Sequence, residues 1–461
     1  MRALQLHIDN CYHRRLRLGL AAVILSLALI SGVGPAVADV VKPKEWTVLI
    51  FMNGKNDLEE FAIEDFKELA SVGSTGDVDF VVQMGRPQRR PGEQASLKEV
   101  LGGWSGARRF HVAKGSTPGP GEEIEIVGSG KSVDMGAPAT LADFLRWGKA
   151  AFPARRYAVV IWNHGQGYRL ILPADGAKAA AAPAPDRAER ASAGISHRAV
   201  SQDIDTGSII YNADLKASLS SVFGSELRLV GFDACLMAML ETAYELRDVA
   251  PIMVASEELE PGNGWNYTSV ASLLTRHPED SEDQLAASLV KSYRDTYGDN
   301  DNTTLSAIKL GAAKPLAAEM SALSDALLMD RVKHFPIVKA ARADRGAYNE
   351  PRNPVTIDLI GFLGALERRL EEAASSSPAL AHTRNARNLA KSMVVANYTS
   401  SRRGEPYGSN GIAIYFPATK AAFNRDSWSD GYLRSNEFKK IDFVASERWS
   451  IFLQVYLGLP N

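Results

Sequence analysis

Two apolar segments of this chain end in residues that can carry out nucleophilic chemistry. The run YAVVIWN is followed by His164 and Gly165, and the run LRLVGF is followed by Asp-Ala-Cys, which contains Asp233 and Cys235. In open α/β sheets, functional groups collect outside the carboxyl ends of the strands. If the two runs form neighbouring strands, the thiol of Cys235 and the imidazole of His164 meet at one edge of the sheet.

The pair predicts attack of a thiolate on a carbonyl carbon. The residues after Cys235, LMAMLETAYELRD, have a helical pattern, and a helix N-terminus would favour the thiolate. His164 could polarise the substrate or protonate the departing amine. The backbone amides of Gly165 and Cys235 are candidate oxyanion donors. The alternative is a buried cysteine that acts as a small hydrophobe beside a histidine that satisfies backbone groups, and spacing alone leaves both open.

The elements around these residues predict an α/β fold. WTVLIFMN and VDFVVQMG have the composition of buried strands, and between them Asp57 with Glu60 has the pattern of a helix capping box. ATLADFLRWGKAAFP predicts a further helix, so strands alternate with helices, which indicates a parallel sheet covered on both faces. The glycine-rich stretch 95–136 is interpreted as hairpins or loops outside the main sheet.

The chain divides into three predicted parts. Residues 1–38 have the pattern of a signal peptide, with arginines before an apolar run and small residues Ala36 and Ala38 at the expected cleavage site. Residues 39–310 form the core, in which an Ala/Pro-rich loop at about 176–200 is exposed. Residues 311–461 are mainly helical, and the strand 411–416 is a candidate to return to the same sheet.

Composition and the N-terminus limit the partners and the location. Of the 461 residues 45% are hydrophobic, and the net charge of -2 provides no bulk attraction to nucleic acid or to acidic membranes. The mature form is therefore expected without nucleic acid or membrane partners, and it is expected in the periplasm or outside the cell. An uncleaved membrane anchor is the alternative. Cleavage removes Cys11 and leaves Cys235 as a single thiol.

The motifs WTVLIFMNGKNDLE, DMGAPATLADFLRW, YAVVIWNHGQGY, GFDACLMAMLETAYE, ASEELEPGNGW and GIAIYFP together resemble the clostripain family of cysteine peptidases. That family shares a clan with caspases, gingipains, legumains and separase. The resemblance implies a three-layer α/β/α caspase-like sandwich with a mostly parallel central sheet. It also implies a cysteine endopeptidase with a catalytic dyad, carried onto Cys235 and His164, that has no obligatory third acid. Together with the signal-peptide pattern this predicts an exported endopeptidase. The rival interpretation is a catalytically inactive binding module with the same fold.

The resemblance also implies a substrate class. Relatives cleave after arginine or lysine by means of acidic groups in the specificity pocket, and Asp233 matches the position of one such acid. A second acid is expected in the turn PGNGW, but this chain has Asn263 there, so Glu257, Glu258 or Glu260 would have to compensate. The expected partner is a peptide or protein substrate, and the oligomeric state is not predicted.

Relatives are activated by cleavage between the histidine and the cysteine. The Ala/Pro-rich loop at about 176–200 offers four basic residues as processing sites, namely Lys178, Arg187, Arg190 and Arg198. The chemistry requires no cofactor, and the histidines show no metal-ligand spacing with cysteines or with each other, so no metal site is predicted. Some relatives use calcium, and the stretch DNDN at Asp299 to Asn302 could hold it, although a turn is the favoured interpretation.

Overall fold

The computed structural model describes residues 43–88, 103–130, 133–165, 167, 200–299, 303–344, 355–373, 377–400, 408–426, 429, 432 and 441–459. The predicted signal peptide and the processing candidates Lys178, Arg187, Arg190 and Arg198 lie outside these residues. No helix in the described part of the chain is long and apolar enough to cross a membrane.

The strands form where the sequence has short apolar or β-branched runs. They are β1 (Lys44–Asn53), β2 (Val78–Arg86), β3 (Gly106–His111), β4 (Glu125–Ile126), β5 (Ala154–Trp162), β6 (Val200–Gln202), β7 (Ile209–Ile210), β8 (Leu227–Asp233), β9 (Ile252–Ala255), β10 (Thr304–Lys309), β11 (Thr356–Asp358), β12 (Val394–Thr399) and β13 (Ala413–Tyr415).

The helices alternate with the strands in the first half of the chain and dominate the second half. They are α1 (Glu59–Val72), α2 (Pro138–Ala151), α3 (Asn212–Ser220), α4 (Leu240–Glu245), α5 (Tyr267–Arg276), α6 (Glu282–Tyr297), α7 (Ala313–Met329), α8 (Arg331–Arg342), α9 (Leu359–Ala373), α10 (Pro378–Met393), α11 (Lys420–Arg425), α12 (Asp442–Ser446) and α13 (Trp449–Leu457).

The main sheet of the described residues has nine strands in the order β12-β10-β9-β8-β5-β1-β2-β3-β4. The five central strands, from β9 to β2, are parallel to one another. The outer strands run antiparallel to their neighbours. This arrangement confirms the predicted mostly parallel sheet, with β5 and β8 side by side at its centre.

Helices cover both faces of this sheet, so the three-layer α/β/α prediction is confirmed. Leu49 and Phe51 of β1 pack into one apolar core together with α2, α3 and much of the C-terminal region. Val48 and Ile50, which point to the opposite face, pack into a second core with α1, α5 and α6. Burial on both faces explains why β1 is continuously apolar rather than alternating.

Two local predictions were wrong. Within the stretch 95–136, β3 and β4 extend the main sheet as edge strands instead of lying outside it. Asp57 is not the cap of α1, because the helix begins at Glu59 after Leu58, which makes no side-chain cap. Asn56 instead accepts the Leu58 N–H at 2.9 Å, which leaves Asp57 to point elsewhere.

The C-terminal region joins the core through a different strand from the one expected. The candidate strand at 411–416 forms β13, which pairs with β11 in a separate two-stranded sheet. It is β12 that joins the main sheet, beside β10. A single bridge between Met239 and Ala413 still ties β13 to the segment after Cys235. Residues Lys44–Asn461 accordingly form one compact unit.

Candidate active site

The pairing of β5 with β8 brings the two reactive residues to the same edge. Trp162 lies opposite Asp233 in the parallel register, and His164 and Cys235 each follow two residues later. A side chain on Gly165 would place its Cβ atom 2.3 Å from the carbonyl oxygen of Cys235 and 2.9 Å from its amide nitrogen. Glycine is therefore required for this close approach, which packs the His-Gly turn against the backbone of the cysteine.

Asn163 forms hydrogen bonds that connect the turn carrying His164 to the neighbouring strand ends. Its backbone N–H donates to the Asp233 carbonyl at 3.2 Å, and its side-chain N–H donates to the Asn53 carbonyl at the end of β1. Its side-chain oxygen accepts the Gln202 N–H at 3.2 Å. The buried amide thus joins the ends of β1, β5, β6 and β8, and it limits the freedom of the His164 backbone.

His164 has an acidic partner that the sequence analysis missed. Its Nε2 atom lies 2.9 Å from Oδ1 of Asp57, which follows β1. The imidazole is 28% exposed and the Asp57 carboxylate 66%, so both border solvent. The signal was available in part, because parallel neighbours β1 and β5 must end at one edge of the sheet.

Cys235 lies on a strained turn rather than at the start of a helix. Leu236 has a φ of 63°, a left-handed conformation that is unusual for leucine. Two backbone hydrogen bonds hold the turn. The Leu236 N–H donates to the Glu258 carbonyl at 3.0 Å, and the Ala238 N–H donates to the Ser256 carbonyl at 2.9 Å. The Glu260 N–H donates to the Cys235 sulfur at 3.2 Å.

The predicted activation of the thiol by a helix N-terminus is wrong. The helix α4 begins only at Leu240, so its dipole does not face Cys235. Burial raises the pKa of the Cys235 thiol to about 12, and the nearby carboxyl groups of Glu260 and Asp233 contribute to the rise. The resting thiol therefore keeps its proton near neutral pH.

Asp233 is buried directly before this turn. Its carboxylate accepts the Trp265 N–H at 3.3 Å and the Tyr267 hydroxyl at 3.0 Å. Gly264 packs against it, because a Cβ atom there would lie 2.6 Å from Oδ1 of Asp233. Burial raises the pKa of Asp233 to about 6, although the donated hydrogen bonds oppose the rise.

The other predicted substrate-binding residues differ in position. Asn263 is exposed and lines a cavity of about 430 Å³ with residues of α1, among them Asp65. Glu257 is buried and accepts the Gly411 N–H at 2.6 Å, with Asp358 beside it. Its side chain contacts the C-terminal region, so the structure does not bring Glu257 together with Asp233. Glu260 is the glutamate that lies beside Asp233.

One surface group in the described residues has a spacing suited to a metal ion. The ligand atoms of His277, Glu279 and Asp280 all lie within 4.8 Å of one another. His277 and Glu279 are exposed, and such groups are common on protein surfaces without a metal. Of the stretch DNDN only Asp299 is described, so calcium binding there stays a prediction.

The fold defines a caspase-like α/β/α protein with a cysteine and a histidine at the carboxyl edge of its central sheet. Residues 50–455 match the clostripain family. The chain belongs to this family of cysteine peptidases. Over 242 residues it is 22% identical to clostripain of Hathewaya histolytica, a match that covers 50% of this chain and 42% of that protein.

Two crystal structures share the fold. One is a secreted C11 cysteine protease from Bacteroides thetaiotaomicron in complex with an irreversible peptide inhibitor, with a TM-score of 0.57 and 18% identity over 87% of this chain and 99% of that chain. The other is an inactive zymogen C11 protease from Parabacteroides distasonis, with a TM-score of 0.54 and 16% identity over 89% of this chain and 99% of that chain.

The contact between Asp57 and His164 generates a prediction about turnover. We expect Asp57→Asn to lower kcat by about tenfold to a hundredfold with little change in KM, because the imidazole loses the partner that orients it. In a His164→Ala background the same change should have no further effect. Peptide cleavage rates of the two single variants and the double variant measure this coupling.

Asp248→Asn, which alters an exposed aspartate elsewhere on the chain, is the matched control. If Asp57→Asn reduces the rate equally in both backgrounds, Asp57 does not act through His164.

Proposed function

We propose that this protein is an exported cysteine endopeptidase in which Cys235 is the nucleophile and His164 the acid-base residue. The observation that carries the proposal is the packing of Gly165 against the Cys235 backbone, which follows from Trp162 lying opposite Asp233. Family membership supports the same chemistry. No metal or other cofactor is needed for it, since the thiol and the imidazole supply both the nucleophile and the proton transfer.

Because the pKa of the Cys235 thiol is raised to about 12, the thiol carries its proton when the substrate binds. His164 removes the thiol proton as the sulfur attacks the scissile carbonyl, and the amides of Gly165 and Cys235 stabilise the resulting oxyanion. The imidazolium then gives its proton to the departing amine, which leaves a thioester. His164 next takes a proton from water, hydroxide attacks the thioester, and the acid product leaves as the thiol is restored.

We expect Cys235→Ala to abolish peptide cleavage while the fold is retained, because the turn is held by backbone bonds that alanine keeps. His164→Ala should lower kcat by roughly 10²–10⁴-fold with a smaller effect on substrate affinity. Cleavage of an arginine-containing peptide, followed by mass spectrometry, provides the measurement.

Asp248→Asn is again the control, because Cys11, the other cysteine of the sequence, lies in the segment that export is expected to remove. Turnover by Cys235→Ala at the rate of this control would eliminate the mechanism.

The proposed substrate preference is for arginine or lysine before the scissile bond. Asp233 lies two residues before the nucleophile, and its buried carboxylate would gain a charge-assisted hydrogen bond from a guanidinium or an ammonium group. In the resting protein its donors are neutral, namely the Trp265 amide and the Tyr267 hydroxyl.

Asp233→Asn should reduce cleavage after arginine by about tenfold to a hundredfold, because a bond to a charged group becomes a bond between neutral groups. Cleavage after citrulline, a neutral analogue of arginine, should change much less. The ratio of kcat/KM for the two peptides gives the result, and equal losses on both would make Asp233 a support for the turn only.

Self-processing between His164 and Cys235 is the second part of the proposal, in the segment that contains Lys178, Arg187, Arg190 and Arg198. Both flanks of this segment are held in place. Gly165 pairs with Val200, and the Asn53 side chain donates to Ser201 at 3.0 Å. The fragments would therefore stay together through the adjacent strands β5 and β8.

Intact-mass analysis should find two associated fragments for the wild type, with a new N-terminus after one of these four residues. Cys235→Ala protein should remain one chain. The same masses test the proposed export signal, since cleavage after Ala38 leaves Asp39 first. A fully active wild-type protein that is uncut in this segment would exclude obligatory processing.

A further inference from the structure

Four carboxyl groups gather beside the turn that carries Cys235, and we call them the acid cluster. They belong to Asp65 and Glu68 of α1, to Asp233 at the end of β8 and to Glu260. Tyr267 joins two of them, because its hydroxyl donates to Asp233 at 3.0 Å and its backbone N–H donates to Glu68 at 2.9 Å.

A third hydrogen bond to the acid cluster comes from the end of β5, the strand that precedes His164. The indole N–H of Trp162 donates to Asp65 at 2.7 Å. Trp162 also lies opposite Asp233 in the sheet, so the same pair of strand ends that positions the catalytic residues positions the acids.

No cation neutralises the acid cluster in the described part of the chain. No lysine, arginine or histidine described there forms an ion pair with any of its members. Lys67 of α1 lines the adjacent cavity but pairs with Glu64 at 3.6 Å. Buried carboxylates without a cation are costly, so such a group must hold protons or receive a positive charge from a ligand.

Glu260 is the member of the acid cluster that hydrogen bonds stabilise least. Both of its carboxylate oxygens are buried without a hydrogen-bond donor in the described residues. The Ala234 amide lies near this carboxyl group and lowers its pKa, but burial and the charge of Asp233 raise it by more. Its neighbour is the carboxyl group of Asp233, and its own backbone N–H donates to the Cys235 sulfur at 3.2 Å. One residue thus touches both the nucleophile and the proposed specificity acid.

We propose that Glu260 is the second specificity residue and that Asp233 and Glu260 share one proton, which a guanidinium or ammonium group of the substrate displaces. The inference rests on the proposed peptidase function, and it assigns to Glu260 the role of the second acid that was expected at the position of Asn263. The pair with one proton carries one negative charge. When the cationic side chain binds, the proton leaves for solvent, and the doubly ionised pair faces one positive charge.

The direction of the pKa shifts supports this exchange. Burial raises the pKa of Asp233 to about 6 and raises that of Glu260 well above its usual value, with the charge of Asp233 adding to the second rise. As the pH rises, the Asp233–Glu260 pair loses its shared proton, so the doubly ionised pair becomes populated and the affinity for a basic side chain increases. As the pH falls, that affinity is lost.

Other groups that face the pair do not supply a positive charge. From α1 these are the carboxyl groups of Asp65 and Glu68, and from α5 and α6 they are the hydroxyls of Tyr267 and Tyr293. The Cys235 thiol is the remaining titratable neighbour. Only an acid or a neutral group therefore faces the pair among the described residues.

The first experiment compares kcat/KM for matched arginine and citrulline peptides between pH 5 and 8. The ratio of the two cancels the pH dependence of the chemical steps, which both substrates share. For the wild type the ratio should rise about tenfold or more over this range. For Glu260→Gln, which removes the charge and keeps the size, it should change less than about threefold and be about tenfold lower at pH 8.

Glu257→Gln is the matched control. Glu257 is also a buried glutamate of this segment with a raised pKa, but its partners are Gly411 and Asp358. This control should keep the wild-type ratio and its pH dependence.

The second experiment counts protons and does not depend on turnover or on the folding of a Glu260 variant. Cys235→Ala protein is titrated at pH 6 with an acetylated tripeptide ending in arginine amide, by calorimetry in two buffers of different ionisation enthalpy. Binding should release up to about one proton, whereas the citrulline counterpart should release none.

The outcomes separate the two proposals. If neither peptide is cleaved by the wild type, the peptidase proposal fails. If both are cleaved but the ratio is independent of pH and unchanged in Glu260→Gln, only the present inference is overturned. Proton release on addition of calcium chloride but not of the arginine peptide would also overturn it, because the acid cluster would then be a metal site.

Discussion

The parallel pairing of β5 with β8 is the constraint on which the rest of the site depends. Because Trp162 lies opposite Asp233, the residues after each strand emerge at one edge and at one height. A shift of one residue would move Asp233 to the other face of the sheet and separate Gly165 from the Cys235 backbone. The two apolar cores, one on each face of the sheet, are what make such a shift unfavourable.

Acidic side chains collect at the same edge of the sheet as His164 and Cys235. Asp233 is the last residue of β8. Asp57 contacts His164 and Asp65 contacts Trp162 at the end of β5, whereas Glu260 contacts Cys235 just after β8. This arrangement opposes the ionisation of Cys235, whose pKa is raised to about 12, so the resting protein holds a thiol and not a thiolate. Buried carboxyl groups of this kind must hold protons or receive a positive charge from a ligand.

The C-terminal region is integral to the site. Glu257, three residues before Glu260, is buried against Gly411 and Asp358, and Glu241 of α4 accepts the Tyr415 N–H at 2.9 Å. Ala413 also donates to the Ala238 carbonyl at 2.9 Å. Both segments that hold the Cys235 turn are therefore attached to β11 and β13 through buried polar contacts.

The sequence by itself determined the strands β1, β2, β5 and β8, the parallel character of the sheet and the positions of His164, Asp233 and Cys235 at strand ends, since apolar runs and their boundaries are local properties. Tertiary structure decided where side chains beyond those ends point. The capping-box pattern assigned Asp57 to a helix, yet the packing of β1 beside β5 directs it to His164. The helical run after Cys235 suggested an activating dipole, but the turn at Leu236 delays α4 to Leu240. Glu257 and Glu260 are equivalent in sequence, and only the contacts of the folded chain, one with Asp358 and the other with Asp233, distinguish them, because side-chain direction in a loop is set by what packs against it.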